Sequence, residues 1–247
     1  MNNPKISVIV PAYNCAKYIE DSIRSLFVQS FKDFEIIIIN DGSTDATFYI
    51  ISSLISTCPE EFKDRIILIN NKKNSGCFQS RTIGIKKAKG EYVLIHDADD
   101  ISLPYRIEKQ YNFLEKNKEV WCVGGHSINI NEEGKEIGYF DYPPEKNKDI
   151  IRGFVNCKNL VMDPTTMFRK DIFEKLGGYS FDHDRFLIGD MDLWVRSILS
   201  GEKISNLLEP LIKYRFNSHG NTLKYKKEMI RQHMIVYKEF MSKHKEN

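Results

Sequence analysis

The chain has few cysteines, no long apolar run and almost no excess charge, and each shortage narrows what it can be. Its five cysteines, Cys15, Cys58, Cys77, Cys122 and Cys157, are odd in number and scattered, with no Cys-x-x-Cys pair and no zinc spacing. That pattern argues against a disulfide scaffold and fits a reducing, cytosolic setting. No stretch approaches the roughly 20 apolar residues that span a bilayer. The first apolar run begins at Ile6 and is too short and too early for a signal sequence. A soluble chain is expected, cytoplasmic or peripheral at the inner face of the plasma membrane. Lys plus Arg number 36 against 34 for Asp plus Glu, a net charge of +2, so no global field recruits nucleic acid. Neither an internal repeat nor a low-complexity tract is visible.

What is present is a core. Of 247 residues, 41% are hydrophobic, enough for one sizeable α/β unit. Ile6-Ser7-Val8-Ile9-Val10, ended by Pro11, and Glu35-Ile36-Ile37-Ile38-Ile39 lack polar alternation, so both read as strands buried on two faces and hence parallel. Ile19, Ile23, Leu26 and Phe27 recur between them at helical spacing and supply the crossover. The alternation continues with a helix from about Asp45, a strand over 66–69, a helix over 78–87 that stops at Gly90, and a strand over 92–95. It predicts an open, mostly parallel sheet with helices on both faces, whose ligands bind beyond the carboxyl ends of the strands.

Past Pro104 the pattern loosens. A helix to about Asn117, a strand over 120–123 and a hairpin turn over 131–135 are followed by a loop-like stretch over 142–148. A segment from Gly177-Gly178 to Gly189 is a second candidate for mobility. Residues 1–103 are thus expected to form a ligand-binding half and 104–221 an irregular second half of a single domain. A C-terminal helix is expected over 222–247. Its lysines alternate with Met229, Ile230, His233, Met234, Tyr237, Phe240 and Met241. Docking on the core or pairing in a homodimer is one reading of this helix, and rest on an anionic membrane is the other.

Three strand ends carry the chemistry. Asp97-Ala98-Asp99-Asp100 follows the fourth strand, and carboxylates crowded at a ligand edge repel one another unless a cation offsets them. Oxygen ligands at this density suit Mg²⁺ or Mn²⁺ shared with substrate phosphates; an acidic turn with Asp100 capping a helix is the alternative. Asn40-Asp41-Gly42-Ser43-Thr44-Asp45 follows the second strand. Capping accounts for Ser43, Thr44 and Asp45, whereas Asp41 can face the cleft and accept from a donor such as a pyrimidine N3–H. Pro11, Ala12, Tyr13 and Asn14 add small residues and an aromatic face from the first strand.

In order and spacing, Ser7 to Asn14, Asn40 to Asp45 and His96 to Asp100 resemble the family 2 inverting glycosyltransferases of the GT-A fold. Asn74-Ser75-Gly76, Arg81 to Gly84 and Ala88 to Tyr92 resemble the run before that family's metal motif. The resemblance implies a metal-dependent transfer of sugar from a nucleotide-sugar, with UDP the commonest carrier, to a glycan or lipid-linked acceptor. Pro11, Ala12 and Asp41 would line the nucleoside pocket, Asp99 would hold the metal, and Asp97 and Asp100 would contact metal or donor sugar. Asn40 stands where the family has a second acidic residue. Arg81 would lie near the donor phosphates, or be an exposed helix cation. Asp190, in Gly189-Asp190-Met191-Asp192-Leu193-Trp194, resembles the Asp that deprotonates the acceptor, with Gly189 replacing the usual Glu; a plain N-cap is the alternative.

The segment from Asp163 to Arg169, with Phe173, Gly177, Gly178 and Tyr179, resembles the family's acceptor side and is expected to shape the site. Tyr214-Arg215-Phe216-Asn217-Ser218-His219 is similar to a Tyr-Arg-x-His pattern, which makes His219 a candidate metal ligand or a loop histidine. His96 is expected to point away from Asp97. His126, His183, His233 and His244 show no convergent partners, and Trp121 and Trp194 read as core. Richness in Lys, Ile and Asn is associated with AT-rich bacterial genomes, which with the resemblance points to surface polysaccharide or glycolipid biosynthesis. A catalytically silent sugar-nucleotide or glycan-binding module is the rival from another class. A nucleotidyltransferase would want a Gly-rich, basic phosphate loop, which Pro11 to Asn14 is not.

Overall fold

Ile36, Ile37, Ile38 and Ile39 leave no polar face on their strand, and all four are fully buried. In the computed structural model, which describes residues 3–181, 187–217 and 225–244, they lie in β2 (Phe34–Asn40). Beside it run β1 (Ile6–Ala12), β3 (Ile66–Asn70) and β4 (Tyr92–Ile95). The order β3-β2-β1-β4 is parallel throughout, as the unalternating apolar runs require. Pro11 does not end β1, which pairs with β2 as far as Ala12 opposite Asn40.

Side-chain alternation divides the core into two layers. Val8, Val10, Ile36 and Ile38 pack with α1 (Ile19–Phe27), α2 (Thr47–Ser56) and α4 (Arg106–Lys116). Ile9, Ile37 and Ile39 face the opposite layer, where Ile85 of α3 (Cys77–Lys87) lies. Gly90 does not stop α3, which ends at Lys87 with Ala88 already extended. A Cβ at Gly90 would come within 2.7 Å of the backbone of Ile6 and Ser7, so the close approach of that segment to β1 is what requires glycine.

Beyond β4 the sheet becomes mixed. β5 (Ile101–Ser102), β6 (Val120–Ile130), β7 (Glu136–Phe140), β8 (Met167–Arg169) and β9 (Lys203–Arg215) complete a sheet of nine strands among the described residues. β8 is antiparallel to β4 and β6, while β6 and β9 are parallel. The strand expected over 120–123 runs on to Ile130 through Gly124 and Gly125, where a Cβ would meet Asn206 and Leu211 of β9 at 2.6 and 2.5 Å. β9 itself has no clean apolar alternation because it carries Pro210, and register shifts on either side of His126 absorb the irregularity.

α5 (Asn147–Val155) begins inside the stretch that reads as loop. α6 (Lys170–Lys175), α7 (Gly189–Leu199) and α8 (Lys226–His244) follow. α5, α7 and α8 contribute to the second layer through Phe154, Trp194, Val236 and Phe240. Trp121 and Trp194 are buried core, as expected, and Trp121 Nε1 donates to Ser197 Oγ at 2.6 Å. All five cysteines are free thiols. No helix among the described residues is long and apolar enough to cross a membrane.

Candidate functional site

Parallel pairing brings the ends of β1, β2 and β4 to one edge. Asp41 N donates to Ala12 O at 2.8 Å, and His96 N donates to Ile9 O at 3.0 Å, so the acidic turns after β2 and β4 flank the end of β1. The β1 and β2 turns are tied to one another. Asn14, at φ 47, accepts from Thr44 N at 2.8 Å, and Asn14 N donates to Ser43 Oγ at 3.1 Å. Asp45 accepts from Ala16 N and Thr47 N. Ser43 and Thr44 therefore staple two turns together instead of capping α2. Tyr13 is 48% exposed beside them, whereas Ala12 is buried.

Asp41 is buried, and its carboxylate accepts from Asn71 Nδ2, Ser75 N, Ser75 Oγ and Gly76 N at 2.7–3.1 Å. The turn after β2 thus organises the 71–76 loop. Gly42, at φ +69, lies so close to that loop that a Cβ would come within 2.6 Å of the Lys73 backbone. Asn40 is engaged on β3, donating to Asn70 Oδ1 at 2.6 Å.

The turn after β4 is held from both sides. Asp97 Oδ1 accepts from Arg81 Nη2 at 2.6 Å. Asp100 Oδ1 accepts from Arg215 N at 2.8 Å, and Arg215 Nε donates to Asp99 O at 2.8 Å. The Arg215 guanidinium stacks over Tyr18 at 4.6 Å and binds the carbonyls of Asn131 and Glu132. Arg106 is fully buried under the turn, donating to Ile95 O and Pro164 O. His96 points to the opposite side from Asp97, as expected, between Ser22 and Ser102; burial and then Arg106 lower its pKa to about 3.

These few donors do not compensate the crowding of charge in the turn. Burial and then the Asp97 charge push Asp99 up to about 6. Asp100 is raised well above the ordinary range by burial and then by Asp99, and its Oδ2 is buried without a hydrogen-bond partner. A hard divalent cation would relieve that crowding, so Asp99 fits one, with the partly exposed Asp97, already paired with Arg81, beside it. No group of three or more His, Cys, Asp or Glu among the described residues could hold an ion alone, so substrate oxygens would have to complete its shell. His219 lies outside the described residues, as does His183.

Across the edge stands a second cluster, which the sequence left unassembled. Arg81 is 3% exposed, so it is not an exposed helix cation. It bridges Asp97 to Asp163, a buried carboxylate in the helical turn Asp163–Thr165 that also accepts from Tyr179 OH at 3.2 Å. Burial raises Asp163 to about 7; Arg81 opposes that shift, and Asp190 and Asp97 reinforce it. Asp190 lies in the first turn of α7, but Ile188 occupies the N-cap position. Burial raises the Asp190 pKa, while the Met191 backbone, Arg81 and His233 lower it. A Cβ at Gly189 would touch the Phe78 ring at 3.0 Å, and Phe78 in turn packs on Tyr179 and on the Arg81 guanidinium. His126 is tied to Pro143 O, and His233 has its pKa lowered by burial, with Asp190 opposing.

Residues 7–177 match the model of glycosyl transferase family 2. The chain belongs to that family. It is 33% identical over 224 residues to an uncharacterized glycosyltransferase of Methanocaldococcus jannaschii, covering 90% of this chain and 74% of the relative. It is 34% identical over 218 residues to the putative glycosyltransferase EpsE of Bacillus subtilis, covering 88% and 75%. Family membership makes the chain a transferase.

Among solved structures, Staphylococcus aureus TarS 1–349 in complex with UDP-GlcNAc superposes with a TM-score of 0.72 at 20% identity, covering 97% of this chain and 72% of that 1–349 chain. The mannosyltransferase PcManGT from Pyrobaculum calidifontis, in complex with GDP-Man and Mn²⁺, gives 0.70 at 18%, covering 96% and 64%. In the UDP complex of TarS 1–349 the chain spans 65% of the TarS chain, so it matches only part of these longer proteins. These likenesses show the fold, which is GT-A.

Proposed function

We propose that this family 2 member transfers a sugar from a nucleotide-sugar, with UDP as the carrier, to an acceptor hydroxyl with inversion at the anomeric carbon. The observation that carries the reading is the edge on which Asp97 and Asp99 stand, with Arg81 linking Asp97 to the cluster that holds Asp190. Relatives of the same fold bind UDP-GlcNAc and GDP-Man, the latter with Mn²⁺, which supports a nucleotide-sugar donor.

In this scheme residues 1–103 bind the donor and 104–221 bind a glycan or lipid-linked acceptor. Pro11, Ala12, Tyr13, Asn14 and Asp41 line the nucleoside pocket. Asp41 already accepts from Ser75 and Gly76, so a base N3–H must share its carboxylate with the 71–76 loop or displace that loop. Asp97 and Asp99 would hold Mn²⁺ or Mg²⁺, which as a Lewis acid would stabilise a departing diphosphate. Asp100 stiffens the turn through Arg215. Asp190, made more basic by burial, takes the acceptor proton while the hydroxyl attacks the face opposite the diphosphate. A single displacement inverts configuration. Surface polysaccharide or glycolipid assembly is the process such an enzyme would serve.

The test is UDP release from a panel of UDP-sugars with Mn²⁺ and candidate acceptors, with the product's anomeric configuration read by NMR. Asp190→Asn should lower turnover by roughly 10²–10⁴-fold and leave donor binding intact. Retained configuration, or an unchanged rate in Asp190→Asn, would contradict the mechanism. Donor binding with no turnover for any acceptor would favour a silent binding module.

A further inference from the structure

We propose that the outward face of α8 docks the protein on an anionic lipid surface. The inner face of this helix is already committed. Val236 and Phe240 are buried in the core, Gln232 accepts from Leu187 N at 3.0 Å, and Tyr237 OH donates to Val155 O at 2.9 Å. The outer face has a different character. Lys226, Lys227, Arg231, Lys238 and Lys243 are all exposed, and Ile230 and Met234 stand among them at 53% and 46% exposure.

The spacing places Lys227, Ile230, Arg231, Met234 and Lys238 on one stripe. Every exposed ionisable residue described on α8 is cationic. Its two glutamates, Glu228 and Glu239, are intermediate in exposure, and Glu228 pairs with Arg231 and Gln232, which leaves the four lysines to carry the charge of the face. Basic character continues onto the neighbouring element, where Arg152 and Lys158 are exposed on either side of the Val155 carbonyl that Tyr237 binds. In a chain whose net charge is only +2, this concentrates positive charge on one side.

The apolar residues decide the occupant. Cations alone would serve any polyanion, including nucleic acid. Ile230 and Met234, interleaved with the lysines, gain nothing from a phosphate backbone. In a bilayer they enter the boundary between headgroups and acyl chains while the lysines remain with the lipid phosphates. Such a helix has a charge-attracted, salt-sensitive affinity for anionic lipid that is reinforced by modest apolar burial. Because Gln232 holds the segment leading into α7, docking would also set the Asp190 helix beside the lipid surface. The inference stands without the transferase assignment, since lipid binding requires no donor or acceptor.

The test is co-sedimentation of the whole chain with phosphatidylcholine vesicles, with and without phosphatidylglycerol, at low and high salt. Binding is expected only to the phosphatidylglycerol vesicles and should weaken at high salt. The triple change Lys226→Glu, Lys227→Glu and Lys238→Glu should reduce it by roughly tenfold or more. Ile230→Ser with Met234→Ser should weaken binding while keeping its salt dependence, and unchanged thermal melting in both variants confirms that they fold. Equal binding to neutral vesicles, or wild-type binding by the triple variant, would overturn the proposal. So would tighter binding to an oligonucleotide, or a dimer in solution that these substitutions dissociate.

Discussion

Arg81 donates to the carboxylate of Asp163 in a pair whose side chains are only 4% and 3% exposed. Through its other terminal nitrogen the same guanidinium reaches Asp97, so one buried cation joins the acidic turn after β4 to the segment leading into β8. Its Nε is buried with no hydrogen-bond partner. Removing that cation would leave two carboxylates facing one another with nothing between them.

Above pH 7, where Asp163 is ionised, Arg81→Met should therefore destabilise the fold by about 3–5 kcal/mol, the range seen when one partner of a buried ion pair is deleted. Urea unfolding of the two proteins measures it. A loss below about 1 kcal/mol would mean that the pair is far more hydrated than its burial indicates.

The Asp163 carboxyl also gives stability a pH signature. Its folded pKa of about 7 lies above the ordinary Asp value, so between about pH 4 and 7 the native state holds a proton that the unfolded chain releases. With more protons bound in the native state, this group lowers stability as pH rises, by at most about 1.4 kcal/mol per pH unit. Asp45 and Glu115, whose pKa values are lowered, act in the opposite sense and lose stability as pH falls. Asp163→Asn keeps a neutral group and should remove the Asp163 contribution to this slope. Parallel stability curves for the wild type and the variant across that window would contradict the assignment.

Much of the edge at the ends of β2 and β4 was legible because its residues are contiguous in sequence. Asp41 and the run from Asp97 to Asp100 directly follow buried strands, and parallel pairing then puts both turns on one edge. The partners were not legible, because Arg81 meets Asp163 across 82 positions and Arg215 meets Asp100 across 115. A basic residue in a helix gives no sign of which carboxylate it will face. β9 was hidden by Pro210 and the register shifts near it, which leave no apolar alternation to read. The place of Asp41 at the end of β2 was legible, but its hydrogen bonds to Ser75 and Gly76 depend on how the 71–76 loop folds back.

Gly189 offers a packing test independent of any chemistry. A methyl group there would press on the Phe78 ring at 3.0 Å, so Gly189→Ala should cost about 1–3 kcal/mol and disturb the start of α7. Combining it with Phe78→Leu should recover most of that loss in thermal melts. If the single variant is neutral, Phe78 yields freely and does not fix the position of Asp190.

The most direct test of donor binding is calorimetric titration of the protein with UDP, with and without Mn²⁺, repeated for Asp99→Ala and Asp41→Ala. A UDP-sugar transferase with this edge as its donor site predicts metal-dependent binding that both substitutions abolish. Binding of GDP or dTDP in place of UDP would overturn the base assignment alone, whereas no binding of any nucleotide would contradict the donor site itself.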